Sequence, residues 1–436
     1  MTRRSLKWRL RERARPGLLV QNAIALMLSS GGSAIIGVVF WAVAAHLYST
    51  VALGRTTAAL AAVLLLANLA QLSFGSIFER FLPVAGELTR NFVKRAYVMC
   101  VAFGFVLTIA YLLLGFGHAF LPSSLGWRAF FVAAVVLWTI FALQDSVLVG
   151  LRASKWVAVE NIGFGFLKLA LLPACVLISS MQGIFVASIA PIVLTIVAVT
   201  WYLFQKRIPE HMALGRKTEA LPSTRDLIVL AGAQYSTLLS GVFMPSLITL
   251  IVIERLGAIA NAHYFLPSMI SSGLILLCIG VVRSFLVEAT NEPHALRRHT
   301  NSAIRALAFV VVPSVVLGYI FAPEYLRIFG ASYSAHGATL MRMLLLAIPG
   351  SAVTVFYSTF AWLDKRVWSM TVRNLAGSAV QMVVILVLIK RHGIDAIGIA
   401  ALVNSGLTVI IFLPASIRRY RRTATNEAEP ISDPGT

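Results

Sequence analysis

Charge is scarce in this sequence. Only 12% of its 436 residues are Asp, Glu, Lys or Arg, about half the ~25% usual in soluble domains. With 58% hydrophobic residues, that shortage excludes a water-soluble globule and leaves a polytopic membrane protein. Acidic residues are the rarer kind, 17 against 37 Lys and Arg. Cysteine is limited to Cys100, Cys175 and Cys278, each inside an apolar run. They read as small core residues, not as a disulfide framework or a metal set. There is no phosphate loop, no metal-ligand spacing and no nucleophile motif. The chain therefore reads as a non-enzyme with no cofactor and no metal. The formal charge of +20 would suit nucleic acid if it were clustered. It lies instead in the gaps between apolar runs, where membrane topology places it, so no nucleic-acid partner is expected.

Apolar runs are what the chain has in abundance. Twelve are long enough to cross a bilayer: 18–41, 56–78, 96–117, 128–150, 156–178 and 183–204, then 226–253, 262–282, 301–322, 338–362, 367–389 and 394–415. The N-terminal stretch MTRRSLKWRLRERARPG faintly resembles a twin-arginine signal. The run after it is too long for a signal core, so it reads as an uncleaved first helix with a basic anchor. A basic loop with Pro209, Gly215 and Pro222 separates the halves. The expected organisation is an N-terminal six-helix lobe over 1–205, a linker over 206–225, a C-terminal six-helix lobe over 226–415 and a tail over 416–436. The polar stretch 423–436 is expected to be disordered. Of the 37 Lys and Arg, 29 fall on the side of the N-terminus and six on the other. That bias puts both termini in the cytoplasm.

The halves look like repeats. Asn161 and Lys168 stand seven apart in the fifth run, and Asn374 and Gln381 stand seven apart in the eleventh, 213 positions on. Gly183 and Gly393 open the sixth and twelfth runs at an offset of 210, and Gly32 and Gly241 differ by 209. Six crossings per half is an even number, so the repeats are parallel, two lobes around a central cleft suited to alternating access.

Lys168 is the most informative residue. It lies ~18 Å into its helix from Trp156, too deep to snorkel easily through a core ~30 Å thick. A lysine there costs at least ~2.5–3.5 kcal/mol and usually faces a polar cavity or a partner. With Asn161 two turns away, and Gln381 and Asn374 at the equivalent places, it predicts a polar lining for an anion. Arg80 and Arg283 end the second and eighth runs. They read as contacts for an anionic headgroup or as ordinary interfacial anchors. Arg342, one turn inside the tenth run, reads as an anion-release group or a snorkelling side chain. Gly32, and Gly241 with Pro245, interrupt the first and seventh runs. They read as hinges lining the cleft or as small-residue packing sites. Asp145 and Glu160 are expected to pair locally with Arg152 and Lys155; the competing reading is a proton relay. Asn68, Gln71, Gln144 and Gln234 line the cleft or bond between helices.

FAPEYLRIFGASYSAHGATLMRMLLLAIP before and into the tenth run, and GIDAIGIAALVNS at the twelfth, accompany the twelve runs and the basic central loop. Together they resemble bacterial polysaccharide (O-antigen type) flippases of the multidrug/oligosaccharidyl-lipid/polysaccharide exporter superfamily. The resemblance implies translocation of a polyprenyl-pyrophosphate-linked oligosaccharide from the inner to the outer leaflet, for cell-surface polysaccharide synthesis. It implies membrane lipids, a polysaccharide polymerase and glycosyltransferases as partners. The alternative is a cation-coupled antiporter of the multidrug and toxin extrusion type.

Overall fold

The computed structural model describes residues 16–178, 182–213, 243–291, 296–363 and 367–426. Among them the structure is helical throughout, with no strand. That is the expected consequence of a hydrocarbon solvent: a backbone that finds no water must close its hydrogen bonds within each segment.

The helices of the first half are α1 (Pro16–Leu47), α2 (Thr50–Ala70), α3 (Phe74–Phe81), α4 (Thr89–Leu113), α5 (Leu125–Gly150), α6 (Ser154–Ile178), α7 (Gly183–Tyr202) and α8 (Ile208–Ala213). Those of the second are α9 (Met244–Asn291), α10 (Leu296–Ile320), α11 (Ala322–Arg327), α12 (Ala331–Leu363), α13 (Val367–His392) and α14 (Asp395–Asn426). Ten helices among the described residues are long and apolar enough to cross a membrane. Large apolar side chains stand outward on them, including Val106, Leu177, Phe309 and Ile410. In water such surfaces would associate; in a bilayer they face lipid.

The helix ends depart from the apolar runs in instructive ways. Ser49 caps α2, its hydroxyl accepting from the Ala52 N–H at 3.2 Å, and this starts the second crossing earlier than its apolar run. The same crossing ends at Ala70, because Leu72 and Ser73 take positive φ (49° and 61°). That break turns α3 into a separate amphipathic helix burying Phe74, Ile77 and Phe78. The seventh and eighth runs join as one long helix, α9, broken at Gly257 (φ 86°, ψ 178°). α14 continues to Asn426, so residues 423–426 of the expected disordered stretch are helical.

The chain divides into two compact units, Met1–Ala52 with Ala59–Tyr235, and Leu53–Ala58 with Ser236–Thr436. The first has a core of Phe74, Phe78, Leu82, Val93, Leu143, Val147 and their neighbours. Phe78 is fully buried and meets Phe92 edge-on, ring centroids 5.6 Å apart. The second is built on Ile248, Val252, Leu340, Ile385, Ile389 and Ala400. All three cysteines are buried and free, as small core residues should be.

Gly257 sits in backbone space that is essentially reserved for glycine and costs other residues ~1–3 kcal/mol. Gly257→Ala should therefore lower the thermal midpoint of the purified protein in detergent. Gly273, on the exposed face of the same helix with open space at its Cβ, is the control: Gly273→Ala should not lower it. Equal midpoints for the two variants would show that the Gly257 turn is not under conformational constraint.

Candidate functional site

In the first unit, Lys168 is half-buried. Its ammonium lies over two aromatic rings, 4.7 Å from the Phe40 centroid and 5.4 Å from that of Phe164. Phe164 is one turn earlier on α6, on the same face. Phe40 comes from α1, which packs along α6. Phe164 in turn touches Phe141 and Trp138 of α5. No carboxylate and no hydrogen-bond acceptor meets the ammonium among the described residues. Among the described residues Lys168 is thus a cation held by aromatic faces, with no anion beside it.

The expected polar stripe does not form as a continuous lining. The Asn161 amide donates to both carboxylate oxygens of Asp145 (3.3 and 3.2 Å) and to the Val157 carbonyl at 3.0 Å. It ties α6 to α5 instead of supporting Lys168. The expected local pairing of Asp145 and Glu160 with Arg152 and Lys155 is not what the structure builds around the two carboxylates. Asp145 takes its hydrogen bonds from Asn161, while Glu160 is only 4% exposed and neither of its oxygens has a hydrogen-bond partner.

Gly32 lies inside α1, which carries no non-helical residue. A Cβ there would meet Ile162 Cδ1 at 3.8 Å, and one at Gly165 would meet Ile36 Cγ2 at 3.0 Å. Small residues here bring two helices close, and the backbone at Gly32 is helical. Gln144 bonds between helices, donating to the Thr200 hydroxyl at 2.7 Å and the Ile196 carbonyl at 3.1 Å. Asn68 donates to Leu64 of its own helix. Arg80 is exposed at the end of α3 and stacks on its neighbour Phe81, an interfacial placement.

In the second unit, Asn374 and Gln381 are half-buried on α13. Neither has a hydrogen-bond partner among the described residues. Gly377 lies between them, where a Cβ would meet the Asn404 side-chain oxygen of α14 at 2.8 Å. Arg342 donates to the Tyr319 carbonyl at 3.1 Å and lies over its ring. It thereby satisfies a carbonyl in the last turn of α10, an ordinary role for a cation at a helix C-terminus. Pro245 lies near the start of the described part of α9, where its carbonyl accepts from the Thr249 hydroxyl at 3.0 Å. Gly241, Gln234 and the Arg283 side chain lie outside the described residues.

One functional-grade residue escaped the sequence reading. Arg373 donates to the Tyr357 hydroxyl at 2.6 Å and lies over the stacked rings of Tyr357 and Phe412. This bond joins α13 to α12 as Asp145–Asn161 joins α6 to α5. Both pairs span 16 positions, and they are 212 positions apart in the chain. A shift of 212, one short of the offset that relates Asn161 to Asn374, carries Asp145 and Asn161 onto Tyr357 and Arg373. The repeats therefore place the same cross-hairpin tie in both units, acidic in the first and basic in the second.

The energetics of Lys168 yield a test. Two cation–π contacts contribute ~0.5–2 kcal/mol each, while a lysine at the centre of a span costs ~2.5–3.5 kcal/mol or more. Unless both contacts reach the upper end of that range they do not offset the cost, so without an anion Lys168→Met should raise the thermal midpoint of the detergent-purified protein. A lowered midpoint would make Lys168 a structural group.

No family model matches the chain, and no curated protein matches it. Solved structures do. One is the inward-facing conformation of a multidrug resistance MATE family transporter of the MOP superfamily. It is 14% identical, covers 92% of this chain and 96% of its own, and superposes with a TM-score of 0.63. A second is the MATE multidrug transporter DinF-BH, solved as a complex, 13% identical over 93% of this chain and 96% of its own, TM-score 0.62. A third is a MOP superfamily transporter from Pyrococcus furiosus, described with a binding pocket of reverse polarity that suggests a different function. It is 13% identical over 93% of this chain and 96% of its own, TM-score 0.59. At these identities the likeness concerns architecture. The chain is an all-α, multi-pass membrane protein with the fold of MATE-type transporters of the MOP superfamily.

Proposed function

We propose that the protein is a secondary-active transporter of the multidrug-exporter kind, moving an amphipathic substrate across a bacterial cytoplasmic membrane by alternating access. The observation that carries this reading is the fold likeness, which runs over more than nine-tenths of the chain and includes a transporter caught inward-facing. Both termini are placed in the cytoplasm, on the strength of the Lys/Arg distribution.

A second reading rests on Lys168. An uncompensated ammonium on an aromatic platform suits an anionic substrate better than a cationic one. The flippase reading, with a polyprenyl-pyrophosphate-linked oligosaccharide as cargo, supplies such an anion. The glycosyltransferases that build the cargo and the polymerase that consumes it would then be partners. The Pyrococcus furiosus neighbour, with its reversed pocket polarity, supports the idea that this fold carries pockets of either sign. Gln381 and Asn374 remain candidates for the second unit's polar lining, and Arg80 and Arg283 for headgroup contact.

Everted membrane vesicles containing the full chain separate the two. Ion-gradient-dependent accumulation of ethidium, a lipophilic cation, lost on collapse of the gradient, would support the multidrug reading. Transbilayer movement of a fluorescent polyprenyl-pyrophosphate saccharide, lost in Lys168→Gln at equal protein level, would support the flippase. If neither probe moves faster than in vesicles lacking the protein, the transporter reading fails. Orientation is tested separately. Cysteines introduced at Thr50, Ser123 and Ser334 should react with an impermeant thiol reagent in intact cells, and one at Thr218 should not. The opposite pattern would invert the topology.

A further inference from the structure

Glu160 is a buried carboxylate for which the structure supplies no ion pair among the described residues. It lies six residues into α6, ~9 Å from the helix start at Ser154. It is 4% exposed, and both side-chain oxygens are buried without a hydrogen-bond partner. Asp145, across the α5–α6 hairpin, lies within electrostatic range. So does the Tyr97 hydroxyl of α4, which is itself buried and unpartnered. The two carboxylates are treated unequally. Asp145 receives the Asn161 amide on both oxygens, and Glu160 receives nothing. An ionised carboxylate without donors in such a place gives up its hydration with no return.

The other groups around α6 do not resolve this. On α5 the ionisable neighbour is Asp145 and on α4 it is Tyr97; Arg90, Lys94 and Arg95 of α4 are exposed, and Arg207, beyond α7, donates to the Leu151 carbonyl at 3.3 Å and to Glu210 at 3.0 Å. On α7 Tyr202 stacks against Trp156, ring centroids 4.1 Å apart. The described side chains of α1 from Gly32 to Ala45 include no ionisable group. Arg152 and Lys155 are exposed at the hairpin turn, and Lys168 is two turns further along α6. The shift of 212 that carries Asp145 and Asn161 onto Tyr357 and Arg373 carries Glu160 onto Val372. The second unit builds the same hairpin without a carboxyl group there, so the hairpin itself does not require one.

We propose that Glu160 is a proton-binding site, taking up one proton from water at the hairpin end of α6 and releasing it there, beside the Asp145–Asn161 pair and the Tyr97 hydroxyl. In the protonated form the carboxyl O–H becomes a donor and the neighbouring Asp145 keeps the only negative charge. In the ionised form two negative charges share one pocket, which favours opening of the hairpin end to water. A proton is favoured over a metal ion by the donor set. Among the described residues no group of three His, Cys, Asp or Glu could hold a metal, and a proton needs one oxygen. The proposal relies on the transporter reading only for its use in coupling; the site can be tested without any transport assay.

The test is infrared difference spectroscopy of the purified full chain in lipid, titrated with acid and base. A carbonyl band of a protonated carboxylic acid should vanish as the pH rises, and Glu160→Gln should lack it throughout. Asp145→Asn should move its disappearance to lower pH, because removing the adjacent negative charge favours ionised Glu160. Labelling of Glu160 in the wild-type chain by a hydrophobic carbodiimide, mapped by peptide mass spectrometry, needs no variant to fold and should fade over the same pH range. Three outcomes overturn the proposal. The titrating band could persist in Glu160→Gln. The Glu160 band could fail to titrate at all, which would make it a permanently neutral core group. It could instead be suppressed by sodium but not by choline at constant pH, which would make the ligand an alkali ion.

Discussion

The hydrocarbon of a bilayer offers no hydrogen bonds, and the rest of this structure follows from that one deficiency. Backbone groups are closed within helices. Side-chain hydroxyls do the same on a smaller scale: Thr108 donates to the Gly104 carbonyl, Thr139 to Val135 and Ser188 to Ile184, each four residues back. Larger polar groups reach a neighbouring helix, as Gln144 does to α7. Two ionisable groups within spans of the first unit are not served in this way. Lys168 has aromatic faces and no anion, and neither oxygen of Glu160 has a hydrogen-bond partner. A membrane protein keeps such residues at a cost in stability, so they are where function is to be sought.

The two units use one scaffold for different chemistry. In each, a hairpin between consecutive long helices is tied by a side-chain bond spanning 16 residues. The tie is Asp145 with Asn161 in one and Tyr357 with Arg373 in the other. The geometry is shared because the repeat is shared; the charge is reversed because the residues diverged. The two hairpins thus carry ties of opposite electrostatic preference. The unequal chemistry of Lys168 and Gln381 follows the same logic. One lobe carries the cation, and the other keeps a neutral polar group that can hydrogen-bond sugar, water or amide.

Aromatic residues mediate between the cations and the apolar interior. Lys168 rests on Phe40 and Phe164, and Arg373 on Tyr357 and Phe412. A ring face is the one apolar surface that attracts positive charge. It holds the head group in place without neutralising it. A carboxylate in the same position would have compensated the cation and left nothing for a ligand. This is why the environment of Lys168 bears on function as well as on packing.

The sequence by itself determined that the chain is helical and membrane-spanning, and that it falls into two related halves. Each of these is a property of local composition and periodicity: long apolar runs must be helices in lipid, and an even number of crossings per half makes the repeats parallel. It also located Lys168, because depth within a run is simple arithmetic. Tertiary structure decided which polar groups meet. Asn161 lies on the same helix as Lys168 but bonds Asp145, since α5 crosses at that level and the amide reaches the nearer acceptor. Gly32 serves close packing with α6, because what a glycine does depends on what faces it. The breaks at Leu72–Ser73 and Gly257 were invisible to hydrophobicity, which measures where a segment is buried and is silent on how the backbone turns. Arg373 was hidden for a related reason. Near the end of an apolar run an arginine looks like an ordinary anchor, and only the packing of α12 beneath α13 sets it on a tyrosine.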